Sequence, residues 1–582
     1  MKSLLAFLSL VVALGCCEIQ AAIIIVPNDE QLLAGDHAVK NPIHEHSDPD
    51  ASQTDPHAHN SQETVASIVL PNRQVLTAYE SYHGDSWRHE ASEHRRDSVY
   101  YRVLDYQYPN LTLLDSFEDP YDLHVDSNGH IRNADGVKWA ADDVDGRLVN
   151  KSFSRNQRDP AVANFSDEHF VIAWQSNHLK VGTGSYYKYG VYYNIYSTDD
   201  PVTPIVHELD ASVEPSDNSE DPTADAFTNL FPAVQRLENN SFLIAWRHKQ
   251  FDNMNDLNTV ATSVRGKVVQ LDPGTNIVTE SQIFDISEQG HAPEDYDYET
   301  GMIAISEYDS TNRKVGIVWL GEDYTSIHGQ FYEYTGDSQV EGAAPVLSAT
   351  NNNFTLDPAT SDNYTKLIDP EIERIATENY LVKYGAGDSL TDGGQTLAKK
   401  TYAHTINSDN QQLLSSKIIN ASADPDYTHS VQSDVSILGN GTIITCYSLY
   451  DENDPHVLSS TSDIYCAALD ENLDTVEEFM VNSNRRSPDY KQSHPHITPL
   501  GDDQFVVFWE SLDANEAVTH ELGDDTPSSD DDLFYRVYRV VPEPSTLALL
   551  GFGLLGVGSA GRKIRSPSKL LQTPGCGRAC GS

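Results

Sequence analysis

The string Gly387-Asp388-Ser389-Leu390-Thr391-Asp392-Gly393 sets a serine among acidic residues and glycines, as an exposed nucleophile would be set. Such a hydroxyl attacks only with a base in hydrogen-bond reach and donors for the oxyanion. Asp426 and His429, spaced Asp-x-x-His, are the residues to pair with it. Other strings carry metal-ligand chemistry. His44, His46, Asp48, Asp50, Asp55, His57 and His59 combine imidazole and carboxylate, a set that suits Zn or Cu. Asp126-Ser127-Asn128-Gly129 and Asp142-Asp143-Val144-Asp145-Gly146 offer oxygen ligands at glycine turns, which is calcium chemistry, although neither completes an EF-hand loop. A carboxylate pair for glycoside hydrolysis is defined by separation in space, so none can be picked from 88 acidic residues. There is no His-Glu-x-x-His motif and no phosphate-cradling loop, so catalytic residues stay unassigned.

The elements that must position these groups repeat along the chain, and repeats are read first. Pro160 leads to Trp174, Pro232 to Trp246, Pro370 to Tyr384 and Pro495 to Trp509, each over the same interval. Between proline and aromatic lie a short strand, a polar turn and an apolar strand. One copy reads Phe170-Val171-Ile172-Ala173-Trp174, and another reads Phe505-Val506-Val507-Phe508-Trp509. Weaker copies end at Tyr79, Trp319 and Tyr447, which makes seven aromatic anchors 62 to 95 residues apart. Anchor strands are apolar at consecutive positions, the pattern of strands covered on both faces. The strands after them, such as Val191 to Tyr196 and Ile464 to Leu469, read as alternating and half exposed. Radial repetition of small antiparallel sheets protects their edges. The fold class expected is therefore all-β, a repeat β-propeller of seven blades, with six blades, a linear β-solenoid or an array of sandwich modules as the alternatives.

Composition narrows the partners. A net charge of −50 over 582 residues opposes nucleic acid, whose phosphates would be repelled, and opposes docking on anionic lipid. Cys446 and Cys466 are the two cysteines of the body, on strands that can neighbour one another, and a disulfide between them is an open expectation for an exported chain.

Both ends read as addresses. Met1-Lys2, the apolar run Leu4 to Leu14 and the small residues Ala21-Ala22 form a secretory signal peptide. At the other end Pro542-Glu543-Pro544 is followed by an apolar run to Ala560 and then by Arg562, Lys563 and Arg565. This order resembles the PEP-CTERM sorting signal of exported proteins in Gram-negative bacteria. The resemblance implies recognition at Pro542-Glu543-Pro544 by an exosortase, and membrane association before processing. It also implies a destination at the cell surface or extracellular matrix, and a link with exopolysaccharide. The apolar run is shorter than the roughly 20 residues that span a bilayer, which suits a short, transient helix. The serine string, for its part, resembles the first block of GDSL-type esterases. The α/β pattern of that family is missing around it, so a polar turn is the reading kept.

The expected organisation is a signal peptide over 1–22, an acidic His-containing linker over 23–62 and a seven-repeat domain over 63–540. The sorting signal follows over 541–565, with a Gly/Cys-containing tail over 566–582. The function expected is a non-enzymatic glycan- or protein-binding module. The alternative is a carbohydrate-active enzyme, a glycoside hydrolase or polysaccharide lyase, on the same scaffold. Acids and aromatics clustered at the central channel would favour the enzyme, and a featureless channel the binding module. No cofactor is expected beyond calcium at the Asp-rich turns.

Overall fold

The computed structural model describes residues 23–27, 31–34, 61–84, 95–107, 110–113, 124–125, 131–132, 138–139, 147–149, 157–180, 187–201, 203–212, 227–238, 240–253 and 256–287. It further describes 303–321, 325–335, 346–356, 366–387, 391–392, 395–396, 400–409, 412–419, 427–451, 462–482, 491–512 and 531–542. The chain divides into two compact units, Ile25–Arg539 and the joined ends Met1–Ile24 with Val540–Ser582. The signal peptide and the apolar sorting segment of the second unit lie outside the described residues. Among the described residues no helix is long and apolar enough to cross a membrane.

The larger unit is a seven-bladed all-β propeller. Each aromatic anchor sits on the second strand of one antiparallel sheet. In the Trp174 blade the order is Gln157–Asn164, His169–Lys180, Tyr187–Ser197 and Pro204–Asp210. The Tyr384 blade repeats it with Lys366–Ala376, Asn379–Gly387, Lys400–Asn407 and Leu413–Ile418. The Trp509 blade has Lys491–Pro499, Gln504–Leu512 and Asp531–Pro542 from the end of the chain. Its outer edge is supplied by the N-terminal strands Ile23–Pro27 and Gln31–Ala34, the latter pairing Gln31 with Tyr535 and Leu32 with Phe534. Ile25 N–H also reaches Glu477 Oε2 at 3.0 Å, on the outer strand of the Tyr447 blade. The segment read as a linker thus begins with two strands of the last sheet.

Alternate residues of each anchor strand face different neighbours, because side chains alternate along a strand. Val171 and Ala173 pack with Phe242, Ile244 and Trp246 of the next blade. Phe170, Ile172 and Trp174 pack with Leu76 and Ala78 of the preceding one. The ring closes through a cluster joining Val506 and Phe508 to Val75 and Tyr79. Stacked sheets bury both faces, so consecutive apolar residues in the anchor strands have a direct cause. The third strands differ from blade to blade: every residue of Ser462–Leu469 is buried, as are Tyr192, Tyr193 and Asn194, whereas Ile327–Tyr334 alternates buried with half-buried positions as expected. The buried Tyr193 hydroxyl donates to Glu280 Oε1 at 2.7 Å. The fourth strands, such as Leu413–Ile418, are the partly exposed ones.

Proline does not open the repeat. It follows a bulge inside the inner strand, where the register slips between Arg158 and Ala161, Leu230 and Ala233, Ile368 and Glu371, and Ser493 and His496. The residue before proline takes positive φ in all four: Asp159 (50°), Phe231 (54°), Asp369 (47°) and His494 (49°). Non-glycine residues rarely adopt this conformation, and bulges re-aim the side chains around them. Three residues before proline stands an amide that caps the anchor. Trp174 Nε1 donates to Gln157 Oε1 (2.7 Å), Trp246 Nε1 to Asn229 Oδ1 (3.0 Å) and Trp509 Nε1 to Gln492 Oε1 (2.8 Å). The sequence reading overlooked this amide, although it recurs at a fixed offset of 17 residues. Cys446 and Cys466 are register partners in the Tyr447 blade and are joined by a disulfide.

Candidate functional site

The inner strands surround a central cavity of about 1280 Å³. Strand register explains its chemistry. One inner-strand position pairs across the sheet with the residue just before the anchor. Around the ring it is occupied by Ala66, Ala161, Ala233, Ala304, Glu371, Asp434 and His496. Four blades place alanine there, and three consecutive blades place titratable groups. Behind these three stand Lys383, Cys446 and Phe508, on the anchor strands.

Asp434 and His496 bind their seam. His496 Nδ1 lies 3.0 Å from Asp434 Oδ2, which also accepts the Ile497 N–H at 2.6 Å. Asp434 Oδ1 accepts the Val435 N–H at 2.7 Å. On the other side of the ring, Ser67 N–H donates to His496 Nε2 at 3.1 Å. The imidazole thus accepts on Nε2 and carries its proton on Nδ1 toward the carboxylate; a second proton would displace the Ser67 contact. Burial pushes the Asp434 carboxyl up, but the charge and hydrogen bond of His496, with Lys383 and the Ile497 N–H, hold it below the ordinary range. Burial lowers His496, yet the Asp434 carboxylate lifts it above the usual imidazole value.

Glu371 behaves oppositely. Burial, with the repulsion of Asp434 and Asp369, pushes its carboxyl up to about 8, against the pull of Lys383. Glu373, two residues along, is also raised by burial, Asp434 and Glu371. Burial brings the Lys383 ammonium below its ordinary value despite these carboxylates. That ammonium is held by the Ser433 carbonyl, so it does not close an ion pair with Glu371. Asp369 accepts the Ser433 N–H at 3.2 Å. A carboxyl kept protonated beside one kept ionised is the arrangement that separates acid from base.

The opposite wall comes from the Trp174 and Trp246 blades. Arg158 Nε lies 3.4 Å from Glu80 Oε1, which follows the Tyr79 anchor. Gln175, just after Trp174, is 2% exposed and lines the cavity. Its Oε1 accepts the N–H of Phe231 at 3.0 Å, on the bulge of the next blade. In the last blade the equivalent residue, Glu510, holds His494 on the bulge. Among the described residues, Phe231 is the one Phe, Tyr or Trp that lines the cavity, beside the imidazoles of His494 and His496.

The site residues singled out from sequence are not among the described residues that line the cavity. Pro542 is the last residue of the final strand, while Glu543, Pro544, Arg562, Lys563 and Arg565 lie outside the described residues. So do Ser389, the Asp-rich turns after Val125 and before Arg147, and the His-containing leader from His44 to His59. His429 falls on the inner strand Tyr427–Ile437, with its side chain outside the description. Among the described residues no group of three or more His, Cys, Asp or Glu is arranged to hold a metal ion. The residues that the structure brings together were missed: Glu371, Asp434, His496 and Lys383. A signal existed. Aligning the copies on their anchors puts Glu371, Asp434 and His496 in a column that is alanine at Ala66, Ala161 and Ala233.

Residues 540–563 match the PEP-CTERM protein-sorting motif. No curated protein matches the chain. Among solved structures it is similar to a protein of unknown function from Dyadobacter fermentans DSM 18053, with 9% identity and a TM-score of 0.38, covering 89% of this chain and 99% of that one. It is also similar to the Trypanosoma rangeli sialidase in complex with sialic acid, at 11% identity and a TM-score of 0.32, covering 78% and 63%. A variant of the NanB sialidase from Streptococcus pneumoniae follows, at 9% identity and 0.35, covering 84% and 69%. At these identities and scores the likeness carries no argument about ligand or reaction.

Proposed function

From the premise that this is an exported seven-bladed propeller protein carrying a PEP-CTERM sorting motif at residues 540–563, we propose that it binds a glycan segment in its central cavity at the cell surface or in the matrix. The observation that supports this reading is the polar lining. Carboxylates, His, Arg and amide groups converge on one concave space, the setting in which small polar ligands are oriented. Hydroxyl groups of a saccharide can donate to the carboxylates and accept from the amide and guanidinium groups. Exosortase-type machinery that reads Pro542-Glu543-Pro544 would deliver the propeller to an exopolysaccharide layer. Membrane association through the following segment would then be transient.

A second reading is hydrolysis of such a glycan, favoured by the unlike states of Glu371 and Asp434. Glu371 would act as proton donor and Asp434 as the ionised partner. Acids cluster in the channel, while among the described residues Phe231 alone of the Phe, Tyr and Trp residues lines it, so half of the expectation for an enzyme is met. Incubation with the producing organism's own polysaccharide separates the readings by scoring both co-sedimentation and release of reducing ends. Co-sedimentation without new ends is the expected result. New ends abolished by Glu371→Gln would overturn the non-catalytic reading, and neither signal would overturn both.

A further inference from the structure

The cavity is electrically lopsided. Blades follow one another around the ring, so the Trp174 and Trp246 blades face the Tyr384 and Tyr447 blades across it. On the first side Arg158, Asp159, Gln175 and Arg236 line the cavity, with Glu80 next to Arg158. Positive and negative groups balance there. On the second side stand Asp369, Glu371, Glu373 and Asp434, against Arg374 and the Lys383 behind them. Arg374 is already turned to Glu307 at 2.9 Å and to Asp309 at 3.5 Å. Asp369 and Asp434 are likewise engaged with backbone N–H groups and His496. Glu371 has no hydrogen-bond partner among the described residues, and Glu373 has the Arg374 N–H.

Across from them, Gln175 is buried to 2% exposure and its Oε1 is held by Phe231. Its Nε2 amide has no hydrogen-bond partner among the described residues, and the residue lines the cavity. An amide donor in a cavity wall can give its hydrogens to the acceptor of a bound molecule. One wall therefore carries an excess of carboxyl groups, and the other offers an amide donor.

We propose that the cavity takes a saccharide bearing a free amino group, its ammonium against Glu371 and Glu373 and a hydroxyl or carbonyl oxygen at Gln175 Nε2. This rests on the glycan-binding reading above and narrows it to a chemical class. A uronate-bearing chain would set its carboxylates against four of the protein's own, which like charges oppose. A neutral sugar would bring no charge to the Glu371 and Glu373 carboxyls, whose ionised forms burial disfavours. An ammonium supplies both the charge and three donors. It also removes the reason for the raised Glu371 value, because an opposite charge close by favours the ionised form.

The test is calorimetric titration of the full chain with three tetrasaccharides of one linkage: glucosamine, N-acetylglucosamine and glucose. The amine-bearing one is expected to bind about ten-fold or more tightly than the other two. The paired variant E371Q/E373Q should erase that preference. It changes the net charge only from −50 to −48, so diffuse attraction to an acidic surface would survive it. Gln175→Ala should weaken all three while leaving the preference. Equal binding of the three sugars would overturn this inference and spare the glycan reading. Binding of none would overturn both. An amine preference that persists in the paired variant would overturn the site. N-acetylation alters the ligand and not the protein, so that arm holds even if a variant unfolds.

Discussion

The Trp174–Trp246 half and the Tyr384–Tyr447 half of the ring share one backbone plan and differ in what it carries. Both have a bulge with positive φ before proline, at Asp159 and Phe231 in the first half and at Asp369 in the second. Both pair the next residue with the one before the anchor: Ala161 with Ala173 and Ala233 with Ala245, but Glu371 with Lys383 and Asp434 with Cys446. In the first half the seam is closed by apolar packing and capped tryptophans. In the second it contains charges that burial sets against one another. The plan sets the backbone, and the seam positions then vary in chemistry without changing it.

That contrast can be broken at several points. Trp246→Ala, in the apolar half, removes a fully buried anchor and is expected to cost about 3–5 kcal/mol in denaturant unfolding. Replacing Cys446 and Cys466 by alanine tests how far the charged half relies on its cross-link. A loss of about 2–4 kcal/mol is expected, since the bridge closes a loop between residues 20 apart. A loss below that of an ordinary surface change would mean the sheet alone holds this half.

Gln157→Ala leaves the Trp174 indole N–H unsatisfied in a buried place and should cost about 1–3 kcal/mol. Trp319 gives the matched control. Its Nε1 is buried with no partner among the described residues, so Trp319→Phe should be milder than Trp174→Phe under the same assay. Equal losses would show that the amide caps are ornaments of packing rather than stabilising bonds.

The smallest effect is a pH slope. The Glu371 carboxyl binds its proton up to about 8 in the folded chain, above the 4.5 of an ordinary glutamate. Over that window the native state holds more protons than the unfolded one, so Glu371 makes stability fall as pH rises. Asp434 has the opposite sign. Its folded value is depressed, so its contribution is present above the ordinary aspartate value and is lost as pH falls through the folded one. Glu371→Gln should therefore flatten the decline in melting temperature between pH 5 and pH 8, and Asp434→Asn should not. A decline of unchanged slope in Glu371→Gln would place the titrating group elsewhere.

Anchors, turns and the proline interval were legible because burial between stacked sheets demands the same apolar run in every blade. Phe170 to Trp174 and Phe505 to Trp509 show it directly. The bulge was not legible, since Pro160 reads as a strand start until the pairing of Arg158 and Ala161 shows the slip. The site was hidden for another reason. Glu371, Asp434 and His496 are 63 and 62 residues apart in sequence and become neighbours only because successive inner strands line one channel.

The sequence by itself determined the address at the C-terminus and the blade repeat, because each depends on residues close together along the chain. The tertiary structure alone decided that the first strands complete the last sheet and that Glu371 and Asp434 share one wall. It also decided that Gln175 lines the same cavity as that wall. Ring closure brings distant residues within the reach of charge and hydrogen bonds, and no local pattern records that distance.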